Sequence, residues 1–320
     1  MTFNHAPFIE DALRGFAMQD ISFPIVTVVT DDASTDGAQD LLMRWIADHL
    51  DMRDSSAYEK QTEYAKIISA PLKGNALHTF VILLFFENLY SKNISKTKYI
   101  KEWTDNSKYI ALCEGDDYWI SSDKLQLQVS VLENNDQYAV CSHRIFRLDQ
   151  DTGVYYEDQF CRMFKNRHGF EYDNRTKVWL SETSSVVYRN RCDSQYQNYT
   201  GMKRDNVQIY FLLKGSKGYC LNRKMSIYRK HKGGIFAKQT VRKSIIDGSY
   251  KAMKELFEKE RTSDARYLYY RYYANVFLLT KGKILFLEQF DAIKFLSLMY
   301  FIPSILFMKH PSYIVIKNRE

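Results

Sequence analysis

The run Glu114-Gly115-Asp116-Asp117-Tyr118-Trp119 is where the residue types point most directly to chemistry. Three carboxylates fall within four positions. Like charges at that spacing repel one another unless a cation sits between them. A hard divalent ion takes oxygen ligands of this kind. The run follows the apolar stretch Tyr109-Ile110-Ala111-Leu112-Cys113, which reads as a buried strand, and ligands in open α/β sheets bind outside the ends of strands. The spacing therefore predicts a metal site able to receive phosphates. An acidic turn capping the next helix is the plainer alternative.

A second acidic loop, Asp31-Asp32-Ala33-Ser34-Thr35-Asp36-Gly37, closes the strand Ile25 to Thr30, whose β-branched run without a polar face predicts burial on both sides. Ser34, Thr35 and Asp36 are helix-start residues, and Leu41, Leu42, Trp45 and Ile46 follow at helical spacing. Helices are also expected from Pro7 through Phe16, from about Phe80 to Tyr90, from Asp123, and from Arg204 to Lys214. Short strands are expected at Lys66–Ala70, Ala139–Ser142, Thr183–Tyr188 and Gly218–Arg229, with loops over 150–178 and helices from about Lys238 onward. This alternation over residues 1–145 predicts a mostly parallel sheet with helices on both faces, and it puts Asp31, Asp32 and the Glu114–Asp117 group at one end of it.

Bulk properties narrow the classes. The 45 lysines and arginines against 38 acidic residues give a net charge of +7, which suits anionic partners, but no zinc finger, RNA-recognition signature or basic zipper accompanies it. Five cysteines, odd in number and without a CxxC pair, predict a reduced, cytoplasmic protein. No run of 18 apolar residues occurs, and the segment Phe295 to Met308, flanked by Lys294 and Lys309, reads as a core helix pair or an interfacial anchor at the inner face of a membrane.

The motifs together resemble those of family 2 glycosyltransferases, inverting enzymes of the GT-A fold. Asn4-His5-Ala6-Pro7-Phe8-Ile9 is similar to the family's opening YNHxPFI stretch, and Thr30 to Gly37 to its DDxSxDG loop. Glu114 to Trp119, with Asp123-Lys124-Leu125 and Gln128, is similar to the EGDDYW…DxxKLxxQ form of its DxD region. Weaker matches fall at Thr183 to Val187 and Tyr228 to Gly234, so the resemblance covers roughly residues 2–236. It implies a Rossmann-like nucleotide-binding half over 1–145, an acceptor half over 146–236 and a helical extension over 237–320.

The resemblance also implies roles. Thr2, Phe3, Asp31, Asp32 and Asp116 would contact a nucleotide-sugar donor. Asp117, Asp116 and His231 would hold Mn2+ or Mg2+. Asp205, at the start of its helix, would be the general base, although Asn206 replaces the family's usual aromatic residue. The implied reaction moves a sugar to a hydroxyl of a carbohydrate or lipid-linked acceptor with inversion, in cell-surface polysaccharide or lipopolysaccharide synthesis, with no nucleic acid involved. One departure stands out. The family carries an apolar strand before the YNH motif, and here Met1, Thr2 and Phe3 stand in that place, so an unpaired sheet edge is expected, from a misassigned start or a truncation. Rival readings are an inactive nucleotide-binding or partner-binding remnant, and a nucleotidyltransferase.

Overall fold

The computed structural model describes residues 1–158, 167–176, 182–191, 205–234, 245–282 and 292–309. Cys161, Cys192 and Arg204, singled out from the sequence, lie outside the described residues. The chain forms two compact units: Met1–Asn134 with Glu182–Asn190 and Lys224–Tyr228, and Asn135–Ser181 with Arg191–Arg223 and Arg229–Glu320.

The first unit is built on a four-stranded sheet in the order β1 (Ile25–Asp31), β4 (Asn75–Phe85), β3 (Ala65–Leu72), β2 (Tyr58–Gln61). Only β1 and β4 run parallel, and β4–β3 and β3–β2 are antiparallel. The sheet is therefore mixed, not mostly parallel. The reason is β4, for which the sequence predicted a helix over Phe80 to Tyr90. The continuous run Phe80 to Phe85 has no period, and periodicity cannot distinguish a strand covered on both faces from a buried helix. In the structure the Phe80 ring centroid lies 4.8 Å from that of Trp45 on helix α2 (Ala38–His49), the rings tilted by 52°. Its alternates Val81, Leu83 and Phe85 join a cluster with Tyr99, Ile100 and Trp103 of α3 (Thr97–Asp105) on the opposite face. A two-residue connection through Gly74, whose φ of +77° suits glycine, replaces the expected crossover.

Helix α1 (Ile9–Ala17) packs directly on β6 (Tyr118–Trp119), because a Cβ on Gly15 would lie 2.7 Å from the Trp119 carbonyl oxygen. β5 (Tyr109–Ala111) pairs antiparallel with β10 (Val187–Arg189), and β6 pairs with Ser226 and Ile227 of β11 (Lys217–Lys230). Helix α4 (Lys124–Glu133) follows as expected. Thr183 to Ser185 forms a 3-10 turn before β10 instead of extending the strand. The strand β1 is not buried on both sides. Besides β4, the described residues give it one bridge, from Thr2 to Asp31, and Val26 is 47% exposed.

In the second unit β7 (Tyr138–Asp149) and β8 (Val154–Glu157) form a hairpin, and β9 (Gly169–Tyr172) pairs with β11, so two strands occupy the stretch read as loops. Arg144 holds this region through Asp158 at 3.0 Å and Asn222 at 3.0 Å. Helix α5 (Asp205–Leu213) buries Val207, Tyr210 and Phe211 against α6 (Lys251–Glu260) and α7 (Ser263–Leu279). The segment around Pro303 is one helix, α8 (Ala292–Lys309), not a pair. Leu298, Phe301 and Ile305 pack on α7, while Ile293, Phe295, Leu296, Met299 and Tyr300 are exposed. Among the described residues no helix is long and apolar enough to cross a membrane.

His78 on β4 is fully buried, and its Nε2 lies 2.8 Å from the Thr27 hydroxyl. Burial pushes its pKa down to about 4. The unfolded chain takes up a proton near pH 6.5 and the folded protein does not until about pH 4, so acid favours unfolding across that interval. Full stability holds above pH 6.5 and about 3 kcal/mol is lost between pH 6.5 and 4 through this residue. Denaturant titrations at several pH values should show the loss in the wild type and a flatter profile in His78→Gln. Parallel profiles for the two proteins would contradict it.

Candidate functional site

The two acidic loops of the first unit are joined by backbone. Thr2 donates to the Thr30 carbonyl at 2.8 Å and accepts from the Asp32 amide at 3.0 Å. Met1 accepts from the Gly115 amide at 2.9 Å, and its amino group approaches the Cys113 carbonyl at 3.5 Å. Both are parallel-ladder patterns, one to each side of the same two residues. The loop after β1 and the loop after β5 therefore stand on either side of Met1–Thr2. Gly115 permits the approach: a Cβ there would lie 2.7 Å from the Thr2 Cβ and 3.0 Å from the His5 Nδ1.

The turn Asn4–Pro7 is stitched to the first acidic loop. Asn4 donates its amide to the Ser34 hydroxyl at 2.8 Å, Thr35 donates to the Asn4 side-chain oxygen at 2.8 Å, and the Ala6 amide donates to Asp36 at 2.8 Å. This carries His5 across to the second loop, where its Nε2 lies 3.9 Å from an Asp116 oxygen. An imidazole nitrogen and a carboxylate oxygen at that separation, both largely but not wholly buried, fit ligands of a first-row divalent ion such as Mn2+. Asp117 follows in a turn closed by its amide on the Glu114 carbonyl at 3.3 Å, and it is buried. Burial and then the Asp117 carboxylate push the Cys113 thiol well up, while Lys124 opposes them, so a buried anion and a buried cation both act on this strand end.

Trp119, Lys124 and Gln128 of the second motif are linked to one another and to the Thr183–Ser185 turn. The Trp119 indole donates to the Ser184 carbonyl at 2.9 Å and meets Phe16 edge-on at 4.9 Å. Lys124 places its ammonium 4.0 Å from the Trp119 ring centroid and 2.8 Å from the Gln128 oxygen, and Gln128 donates to the Ser185 carbonyl at 2.8 Å. Lys124 and Gln128 thus tie Trp119 and the Thr183–Ser185 turn together.

Asp31 and Asp32 are both fully buried. Asp31 accepts from the Ser34 amide at 3.0 Å, the Ser34 hydroxyl and the Gln39 amide at 2.7 Å. Asp32 accepts from the Leu89 and Tyr90 amides at 2.9 and 3.1 Å and from the Lys96 ammonium at 2.6 Å. Thr2 is buried and Phe3 exposed. Asp205 opens α5 in the second unit and is exposed. His231, also in the second unit, follows β11, is buried and accepts from the Gly234 amide through its carbonyl at 3.1 Å. Three residues at this site carry no sequence-based role: His5, Lys96 and Tyr90. His5 sits in the YNH-like motif and was readable there. Lys96 stands in sequence as one of the loose group Lys92, Lys96, Lys98 and Lys101.

No family model matches the sequence. The chain is 26% identical over 241 residues to uncharacterized protein Rv1520 of Mycobacterium tuberculosis and, to the same degree, to uncharacterized protein Mb1547 of Mycobacterium bovis. The match covers 74% of this chain, and the chain spans 59% of the length of these curated relatives. Among solved structures, S. aureus TarS 1–349, crystallised in complex with UDP, superposes with a TM-score of 0.55 at 13% identity, covering 92% of this chain and 74% of that one. At that identity the likeness is one of fold alone, a mixed α/β fold.

Gly115→Ala should lower the free energy of unfolding by about 1–3 kcal/mol, because the new methyl group meets Thr2 where neither backbone can withdraw. Denaturant melts measure this. An unchanged midpoint would mean the loops are not packed this closely.

Proposed function

We propose that this chain is a glycosyltransferase that takes a sugar from a nucleoside-diphosphate donor and passes it to an acceptor hydroxyl with inversion. The observation that carries the reading is the bridging of two aspartate-rich loops by Met1 and Thr2 in one unit. The fold likeness to a protein crystallised with UDP supports it. In this reading the loop Asp31–Gly37, with Thr2 and Phe3, forms the nucleotide side, and Asp116 serves both the donor and the metal. Asp117 and Asp116 would hold Mn2+ or Mg2+, His5 is suited by its distance from Asp116, and His231 is the further ligand expected from sequence. A bound divalent ion would supply Lewis-acid stabilisation of the departing diphosphate.

The chain's own residues supply the remainder. The acceptor hydroxyl loses a proton as it attacks from the face opposite the leaving group, and a carboxylate free of metal must take it. Asp205 is assigned that role: it is a carboxylate exposed at the first turn of α5. The buried Lys124 near the strand end that bears Asp117 offsets part of the negative charge of the motif.

The acceptor is proposed to be a surface glycan or its lipid-linked precursor, with the protein cytoplasmic and touching the inner membrane face. The exposed Ile293, Phe295, Leu296, Met299 and Tyr300 of α8 support contact with a lipid surface. Flotation with anionic vesicles should fall in Leu296→Glu/Met299→Glu. Flotation that is absent in the wild type, or equal in the two proteins, removes the membrane contact.

A second reading, nucleotide binding without transfer, is favoured by the edge of β1, which among the described residues has only Thr2 beside it. A screen of sugar nucleotides for hydrolysis or transfer with and without Mn2+ separates the two. Metal-dependent turnover that drops at least 100-fold in Asp117→Asn and about 100-fold in Asp205→Asn is expected, the range for loss of a general base. Thermal stabilisation by nucleotide and Mn2+ with no turnover selects the second reading.

A further inference from the structure

The carboxylates of Asp31 and Asp32 have no exposed surface. Their oxygens are engaged by Ser34, Gln39, Leu89, Tyr90 and Lys96. A nucleobase could reach Asp32 only by displacing Lys96 or two backbone amides, which would strand a buried charge. The physical consequence of these bonds lies in the segment they hold. Asp32 fixes Leu89 and Tyr90 immediately after β4, and the turn is closed again by Ser91 N to Asn88 Oδ1 at 2.7 Å, Asn93 N to Tyr90 O at 3.1 Å and Ile94 N to Leu89 O at 2.9 Å. Leu89 is buried as the anchor, and the Tyr90 side chain is left 68% exposed. The Lys96 ammonium, held by Asp32, lies 6.0 Å from the Tyr90 ring centroid.

Single exposed aromatics are ordinary on a protein surface. This one differs in its mounting. Its own backbone amide is bonded to the buried Asp32 carboxylate, and the largely buried Lys96 ammonium pairs with the same carboxylate. With the backbone held in that way, only the side-chain torsions of Tyr90 have to be ordered when a second ring settles on it. We propose that Tyr90 is the stacking platform for the base of the bound nucleotide, and that Asp32 and Lys96 position it without touching the base. The proposal rests on the nucleotide-side reading of this loop. Stacking tolerates any base, so it gives affinity without choosing between uridine and guanosine nucleotides.

Calorimetric titration of the full chain with UDP, GDP and inorganic pyrophosphate, all in Mn2+, tests this in wild type, Tyr90→Phe, Tyr90→Ala and, as a control on the outer strand β2, Tyr58→Ala. Tyr90→Ala should weaken the tighter nucleoside diphosphate by about tenfold or more, the range for loss of one base–aromatic stack. Tyr90→Phe and Tyr58→Ala should stay near wild type, and pyrophosphate should bind all four proteins alike. Equal nucleotide affinity in Tyr90→Ala and wild type overturns the stacking role and leaves the proposed function standing. An equal loss of pyrophosphate in Tyr90→Ala also overturns it, since the effect would then be structural. If wild type binds neither nucleotide, the proposed function fails and the platform fails with it.

Discussion

Two residues of extended backbone hold the candidate site together. Thr2 is hydrogen-bonded to the end of β1 and Met1 to the segment after β5, and in each case the pattern is that of parallel strands. Neighbouring strands stand about 4.8 Å apart, so the two acidic loops come within roughly 10 Å of each other through main-chain bonds alone. Side chains then close the gap. Gly115 lets Thr2 approach, and Asn4, Ser34, Thr35 and Asp36 lock the turn that points His5 at Asp116. The chemistry of the second loop thus depends on the folding of the first.

This dependence explains how the acidic residues divide their work. In the first loop the carboxylates turn inward and act as connectors: Asp31 shapes its own loop and Asp32 fixes the segment after β4. In the second loop Asp116 keeps part of its surface open beside His5. Asp31 and Asp32 are thus enclosed by backbone amides, side-chain donors and a lysine, while Asp116 lies beside an imidazole. Lys124 and Gln128 in turn join Trp119 to the Thr183–Ser185 turn.

The sequence was legible where a signal is local. The helices at Ile9–Ala17, Ala38–His49 and Lys124–Glu133, the strand before each acidic loop and the loops themselves all follow from spacing and end residues. It was misleading at β4, where six consecutive buried apolar residues carry no period, and at β5 and β7, which join a second sheet in which β5 runs antiparallel to β10. It was silent on Lys96, because nothing in a lysine-rich stretch marks the one that meets an aspartate 64 positions earlier. It was equally silent on the fate of Asp31 and Asp32. Composition tells that a carboxylate is present, and only the fold tells how many donors surround it.

In the proposed enzyme the second acidic loop receives a metal ion next to the first. Anomalous scattering at the manganese edge from crystals grown with Mn2+ and UDP examines this most directly. One strong peak bonded to Asp117 or Asp116 is expected, with the nucleotide density running from it toward the loop Asp31–Gly37. A peak at any other residues, or nucleotide bound with no metal at this loop, would contradict it.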